Sequence, residues 1–378
     1  MRSFEAPKEF LISVMNELRR HNGDDDVNVK DLYIGNRLFT ISLDDWGLSN
    51  IISKNNYDVK YKGIANRCTG NIASEIPNWG KMQSCFWSSL VTPPEKKVMG
   101  EMVEVINNVI EQSRKGINYT GQTAISIDTN LMYNRLITRL FLERKRFGID
   151  YDNCKDLMVL VSSKSLDELT APSHKKLDKR YNPDELINCI PNKETAKALF
   201  NRPTLRARMS LNGMAEIARL RESFSYYLAD DGQQRFRDSD LMDNAIVDEV
   251  YGYCRENNIR LSFLTADDSM YTLLMAKNVR HLTVKYPKNI PGKINPGPWL
   301  LRELLYDLAL TYGGLELEGS SVKISGFWKE KVNKDYIENE NILVTVDENS
   351  NIGKAILRND RIRKRFERSD KIDLNRLR

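Results

Sequence analysis

Between residues 122 and 290 the chain alternates short apolar runs with helix-periodic stretches, and two of the apolar runs end on a carboxylate. Ala124-Ile125-Ser126-Ile127 ends on Asp128-Thr129-Asn130, and Leu261-Ser262-Phe263-Leu264 ends on Thr265-Ala266-Asp267-Asp268. Such alternation points to a mostly parallel sheet with helices on its faces, because successive parallel strands need a crossover between them. Open sheets of this kind place their sites beyond the C-terminal strand ends. Asp128, Asp267 and Asp268 therefore mark where chemistry is expected.

The rest of the stretch follows the same rhythm. The strand at 124–127 leads to a predicted helix over 130–146, and Leu157-Met158-Val159-Leu160-Val161 leads to a helix opening near Ser165. Helices are predicted over 193–200, 207–228 and 239–257, then the strand 261–264, a short helix over 269–277 and a last strand at 281–284. Before this region, residues 7–21 read as an amphipathic helix and 95–113 as another. Asn22-Gly23-Asp24-Asp25-Asp26 reads as a solvated turn, and 115–121 as a linker. Residues 31–90 take no clear assignment. The segment 288–298, rich in proline and glycine, reads as a boundary. Beyond it a helix (299–312), a hairpin and a strand (342–346) precede a basic tail. The expected architecture is α/β: a mostly parallel central sheet flanked by helices over 121–290, an unassigned α+β domain over 1–120, and a small α+β region over 291–378 ending in the tail.

Composition narrows the function classes. The net charge of +5 permits a polyanionic partner without demanding one, but from Lys354 onward ten basic residues face four acidic ones. That tail reads either as a solvated helix or as a phosphate-binding arm. Five cysteines in no CxxC pair and three scattered histidines argue against structural zinc and suit a reducing compartment. With no apolar leader core and no run of membrane-spanning length, a cytoplasmic protein is expected. No GxxxxGK[ST] is present, which disfavours a P-loop nucleotide hydrolase.

The acids recur in a pattern. Asp128 ends one strand, Glu168 lies in the first turn after a second, Asp243 begins a helix, and Asp267 and Asp268 end a third strand. Each alone has an ordinary explanation, as a helix cap or a first-turn acid. Together on one rim they would repel unless a cation such as Mg²⁺ or Mn²⁺ neutralised them.

In these residues the chain resembles the PIN-domain family of metal-dependent ribonucleases. The resemblance covers about 122–290 and rests on Ile127-Asp128-Thr129-Asn130, the run Val161 to Leu169, Asp243-Asn244-Ala245-Ile246 and Leu264-Thr265-Ala266-Asp267-Asp268. It implies a Rossmann-like sheet with Asp128, Glu168, Asp243 and Asp267 as the acidic quartet. Asp268 would be a further ligand, with Thr129, Asn130 and Thr265 in support. Glu216 rivals Glu168 for the second place, and Asp240 rivals Asp243 for the third. One or two Mg²⁺ or Mn²⁺ ions would then bind the scissile phosphate and activate water for in-line attack.

An RNA substrate, single-stranded in preference, needs cations around that rim. Arg139 with Arg144, Lys145 and Arg146, Lys175 and Lys176 with Lys179 and Arg180, Arg202 with Arg206 and Arg208, and Arg363, Lys364 and Arg365 in the tail are the candidates. Tyr226, Tyr227 and Trp299 are candidate stacking platforms. Two other readings stay open: a PIN-like protein that binds RNA or scaffolds a complex without cutting, and a phosphoryl-transfer domain of the haloacid-dehalogenase or receiver type. The latter wants a second Asp where this chain has Asn130. The flanking segments leave oligomerisation or assembly into a protein complex open as well.

Overall fold

The computed structural model describes residues 1–22, 26–115, 122–149, 154–177, 183–230 and 239–376, without side chains at 22, 154, 183, 239–241 and 368–376. Asp24, Asp25, the linker 116–121, Lys179, Arg180 and the side chain of Asp240 lie outside the described residues.

Strands β1 (Arg2–Pro7), β2 (Val27–Asp31), β3 (Arg37–Ile41) and β4 (Leu48–Ser49) open the chain. Strands β5 (Gln122–Ile127), β6 (Met158–Ser162), β7 (Ser225–Ala229), β8 (Ile259–Thr265) and β9 (Arg280–Thr283) occupy its middle, and β10 (Gly314–Leu317), β11 (Val322–Ser325) and β12 (Asn341–Val346) follow. The middle strands form a parallel sheet in the order β7-β6-β5-β8-β9, flanked by helices. The expected α/β class holds at this level.

Period-two alternation puts the two faces of this sheet into two cores. Ile125, Ile127, Val159, Val161 and Leu264 enter one cluster, while Ala124, Met158, Leu160 and Phe263 enter the other beside Ile246, Val247 and Val250. Strand order reverses at β5, which is flanked by β6 on one side and β8 on the other. The crevice between β5 and β8 is thus a topological switch point, where open sheets bind ligands.

The remaining strands form one antiparallel sheet, β1-β12-β11-β10-β2-β3-β4. Residues 1–120 and 291–378, expected as two regions, therefore share a sheet: Arg2 pairs with Val346 and Lys30 with Glu316. The Gly297–Tyr312 helix is buried without a break from Leu300 to Tyr312, as a helix enclosed on all sides must be. It ends at Gly313, whose φ of +75° suits a left-handed C-terminal cap, and a Cβ there would run into the Phe327 ring.

Two predicted elements are corrected. The helix expected over 207–228 runs Leu205–Ser223, and the chain then turns extended to form β7 against β6. The run Phe224-Ser225-Tyr226-Tyr227 has the aromatic content of a strand, and β6 supplies the partner. The helix expected over 130–146 is three short ones, Thr129–Tyr133, Leu136–Leu142 and Arg144–Phe147. Arg135 breaks it with a φ of 51°, a left-handed backbone held in place by its buried ion pair to Glu340. Among the described residues no helix is long and apolar enough to cross a membrane.

Candidate functional site at the tips of β5 and β8

The ladder between β5 and β8 carries Asp128 to the sheet rim. Ile127 lies opposite Leu264, and the Asp128 N–H donates to the Leu264 carbonyl at 3.1 Å. Asp128 caps the next helix: its Oδ1 accepts from the Leu131 N–H at 2.7 Å. Its Oδ2 accepts from Thr265 Oγ1 at 2.5 Å and from the Ala266 N–H at 2.7 Å. Thr265 Oγ1 also accepts from the Asp267 N–H at 2.9 Å, and Asp267 Oδ1 caps Ser269 N at 2.8 Å. Ser269 Oγ in turn donates to Asp243 Oδ2 at 3.2 Å. Three expected acids, Asp128, Asp267 and Asp243, are thus brought to one end of the sheet through the hydroxyls of Thr265 and Ser269.

The charge of Asp128 is poorly compensated. It is buried, and burial pushes its carboxyl up to about 6 against the pull of its hydrogen bonds, with the charge of Asp267 adding to the rise. Among the described residues it pairs with no cationic side chain. The buried hydroxyls of Thr129 and Ser126 beside it lack hydrogen-bond partners among the described residues. Burial lifts Tyr286 too, and the Asp128 charge adds to that shift.

A cavity of about 960 Å³ opens on the same rim. Glu168, Asn130 and Asp268 line it, so the second expected acid faces the cavity while Asp128 lies behind its wall. Asp268 is exposed and sits 3.8 Å from Lys285 Nζ. Tyr133 and Arg206 line the cavity too; burial raises the Tyr133 hydroxyl, the Glu168 charge adds to the rise and the Arg206 charge opposes it.

Glu216, the rival second acid, is not at this site. It is buried and caps the Leu136–Leu142 helix, accepting from the N–H groups of Ile137 at 3.0 Å and Thr138 at 3.1 Å, and from the Thr138 hydroxyl. The acid that sequence reasoning missed is Glu249. It is buried at the tip of β6, accepts from the hydroxyls of Ser162 and Ser163, and lies 3.7 Å from Lys164 Nζ. The sequence offered no spacing signal for it, since six residues along the Ser239–Glu256 helix set it about 120° around from Asp243.

The expected cations divide sharply. Arg139 is fully buried, ion-paired to Glu303 and 3.2 Å from Asp307, so it is no RNA contact. Arg208 is buried as well and donates to the Leu310 and Thr311 carbonyls, closing the end of the central helix. Arg144, Lys145 and Arg146 are exposed but away from the cavity, with Arg146 on the Pro296 carbonyl at 2.7 Å. Lys175 lines the cavity, whereas the exposed Lys176 does not, and Arg202 bonds the Lys329 carbonyl. Arg363 and Lys364 pair with Asp360 and face a separate groove along β1, and Arg365 is exposed on the same helix. Trp299 is exposed beneath Arg302, and Tyr226 and Tyr227 belong to the edge strand β7, all away from the rim cavity.

Arg206, an expected cation, lines the cavity as well, while Lys81, Lys285 and Lys288 and the stacked pair Trp87 and Tyr286 were not foreseen. Lys285-Tyr286-Pro287-Lys288 follows directly on β9, so its position after a strand was the signal, masked by its resemblance to a linker.

No protein-family model matches this chain, and no curated protein matches it.

The donor chemistry at the tips suits a hard divalent cation: carboxylates and hydroxyls, with the negative charge of Asp128 and Asp267 in want of compensation. Among the described residues no three His, Cys, Asp or Glu side chains gather into one cation-holding group. Thr265 and Ser269 stand between the acids they link.

Proposed function

We propose that this chain is a PIN-like, divalent-metal-dependent ribonuclease that hydrolyses phosphodiester bonds of single-stranded RNA at the tips of β5 and β8. The observation that carries this reading is the state of Asp128, a buried carboxylate beside a second one, with no cationic partner among the described residues. Asp128, Asp267 and Asp243 would hold Mg²⁺ or Mn²⁺, with Glu168 reaching it from the cavity. When bound, such an ion would neutralise the acids and make a nearby water more acidic.

The chain's own residues do the positioning. Thr265 and the Ala266 N–H fix the Asp128 carboxylate, and Ser269 fixes that of Asp267. Lys285 and Lys288 offer charge to phosphates in the cavity, and the stacked Trp87–Tyr286 pair forms part of its wall. The test is cleavage of a labelled single-stranded RNA with Mn²⁺ or Mg²⁺ by wild type, Asp128→Asn and Asp267→Asn. Metal-dependent cutting that both variants lose while staying folded is expected.

One observation favours a second reading, a PIN-like protein that binds RNA without cutting it. Both oxygens of Asp128 already serve the fold, one as a helix cap and the other on Thr265 and Ala266. A well-folded wild type that binds RNA and cuts none with either metal would establish that reading instead.

A further inference from the structure

The cavity at the strand tips is not built by the parallel-sheet unit alone. One wall comes from the N-terminal segment, whose Trp79–Ser88 helix contributes Lys81 and Trp87. Trp87 stacks on Tyr286, which follows β9, with ring centroids 5.2 Å apart and planes 20° apart. Lys81 and Arg206, from the Leu205–Ser223 helix, line the same cavity. Burial lowers the Lys81 ammonium, the neighbouring Cys85 opposes that shift, and the Arg206 charge lowers it further. Neither Lys81, Arg206 nor Lys288 makes an ion pair among the described residues. Of the acids in the same lining, Asp268 lies 3.8 Å from Lys285 and Glu75 accepts from the Leu205 N–H, so an anion entering the cavity would find Lys81, Arg206 and Lys288 to pair with.

We propose that the N-terminal segment completes the substrate site, with Lys81, Arg206 and Lys288 clamping the phosphates of an unpaired RNA strand that lies against the Trp87–Tyr286 wall. The proposal rests on the ribonuclease reading for where the strand leads, toward Glu168 and Asp128. The lining carries five cations against the four acids Glu75, Glu95, Glu168 and Asp268, and the cations without an ion pair among the described residues mark where the phosphates of an anionic strand would sit. The two-walled cavity selects an unpaired strand, since single strands are held by cationic grooves lined with aromatic side chains. A volume of about 960 Å³ is at the upper end of the roughly 300–1,000 Å³ typical of small-ligand pockets, room for a few nucleotides and not for a duplex. Residues 1–120 thereby gain a role: they help decide which RNA reaches the strand tips.

The test is fluorescence anisotropy in EDTA, where binding is read without cutting. Labelled oligouridylate and a blunt RNA duplex are titrated with wild type, the Lys81→Glu/Arg206→Glu double variant, and Lys60→Glu as an exposed control away from the cavity. Wild type should prefer the single strand, and the double variant should bind it about tenfold more weakly or worse while the control is unchanged. Lys288→Glu, at an exposed position, repeats the test should the double variant fail to fold. Equal binding by variant and wild type, or equal binding of the duplex, would overturn the clamp. The same samples given Mn²⁺ separate the two ideas. RNA bound through these cations but never cut would remove the ribonuclease reading alone. Cutting that the charge reversals leave untouched would remove the clamp alone.

Discussion

At the residue scale, Asp128 concentrates the account. Burial lifts its carboxyl from 3.8 to about 6, so between those values the folded chain holds a proton that the unfolded chain releases. Stability from this group is complete below the lower value and is lost as pH rises through the upper one. The Asp128→Asn variant does not titrate there. The stability advantage of wild type over it should therefore shrink between about pH 4 and pH 7, measured by denaturant melts without divalent metal. A difference independent of pH would contradict the burial argument. Asp31, buried and also raised to about 6, is common to both proteins and cancels. Sequence position was enough to place Asp128 and Asp267 at the strand tips, because a strand end is a local property. It misjudged Arg139 and Glu216 because depth is not local. Arg139 meets Glu303 and Asp307, and those partners lie more than a hundred and sixty positions along the chain.

At the element scale, the parallel strands were legible wherever an apolar run stood between helix-periodic stretches. β7 was not, since Phe224-Ser225-Tyr226-Tyr227 continues a helical pattern until β6 offers it a ladder. Nor was the break at Arg135, which is fixed by Glu340 from another part of the chain. The Leu136–Leu142 helix that follows begins with N–H groups satisfied by Glu216, a cap supplied across space. Glu216→Ala removes that cap and leaves buried donors unpaired, so it should cost about 1–3 kcal/mol of stability. It should do so without touching the strand-tip acids. Denaturant melts combined with RNA binding check this: a loss of RNA affinity at unchanged stability would mean Glu216 belongs to the site after all.

At the scale of the whole molecule, the two ends of the chain depend on each other. β1 pairs with β12, and β2 lies between β10 and β3. Lys8, after β1, pairs with Glu303 at 2.7 Å and Glu340 at 2.8 Å, and Arg135 and Arg139 join the same buried acids. Burial would raise Glu340, yet Arg135 and Lys8 hold it well below the usual carboxylate range. No local pattern in residues 31–90 announced this, because β3 and β4 are short and the link to the far end of the chain runs through β2, which pairs with β10. A fragment ending at residue 290 loses β10, β11, β12 and the buried central helix. It should show no cooperative thermal transition by circular dichroism, and a sharp transition like that of the full chain would refute the shared-sheet account.

The most direct measurement is the initial rate of cleavage of a labelled single-stranded RNA in Mn²⁺, by wild type and by Asp267→Asn. The account predicts cutting by wild type that stops when the metal is chelated, and a rate in the variant lower by about a hundredfold or more, with the two proteins melting alike. A wild type that binds the strand and never cuts it, or a variant that cuts as fast as wild type, would contradict it.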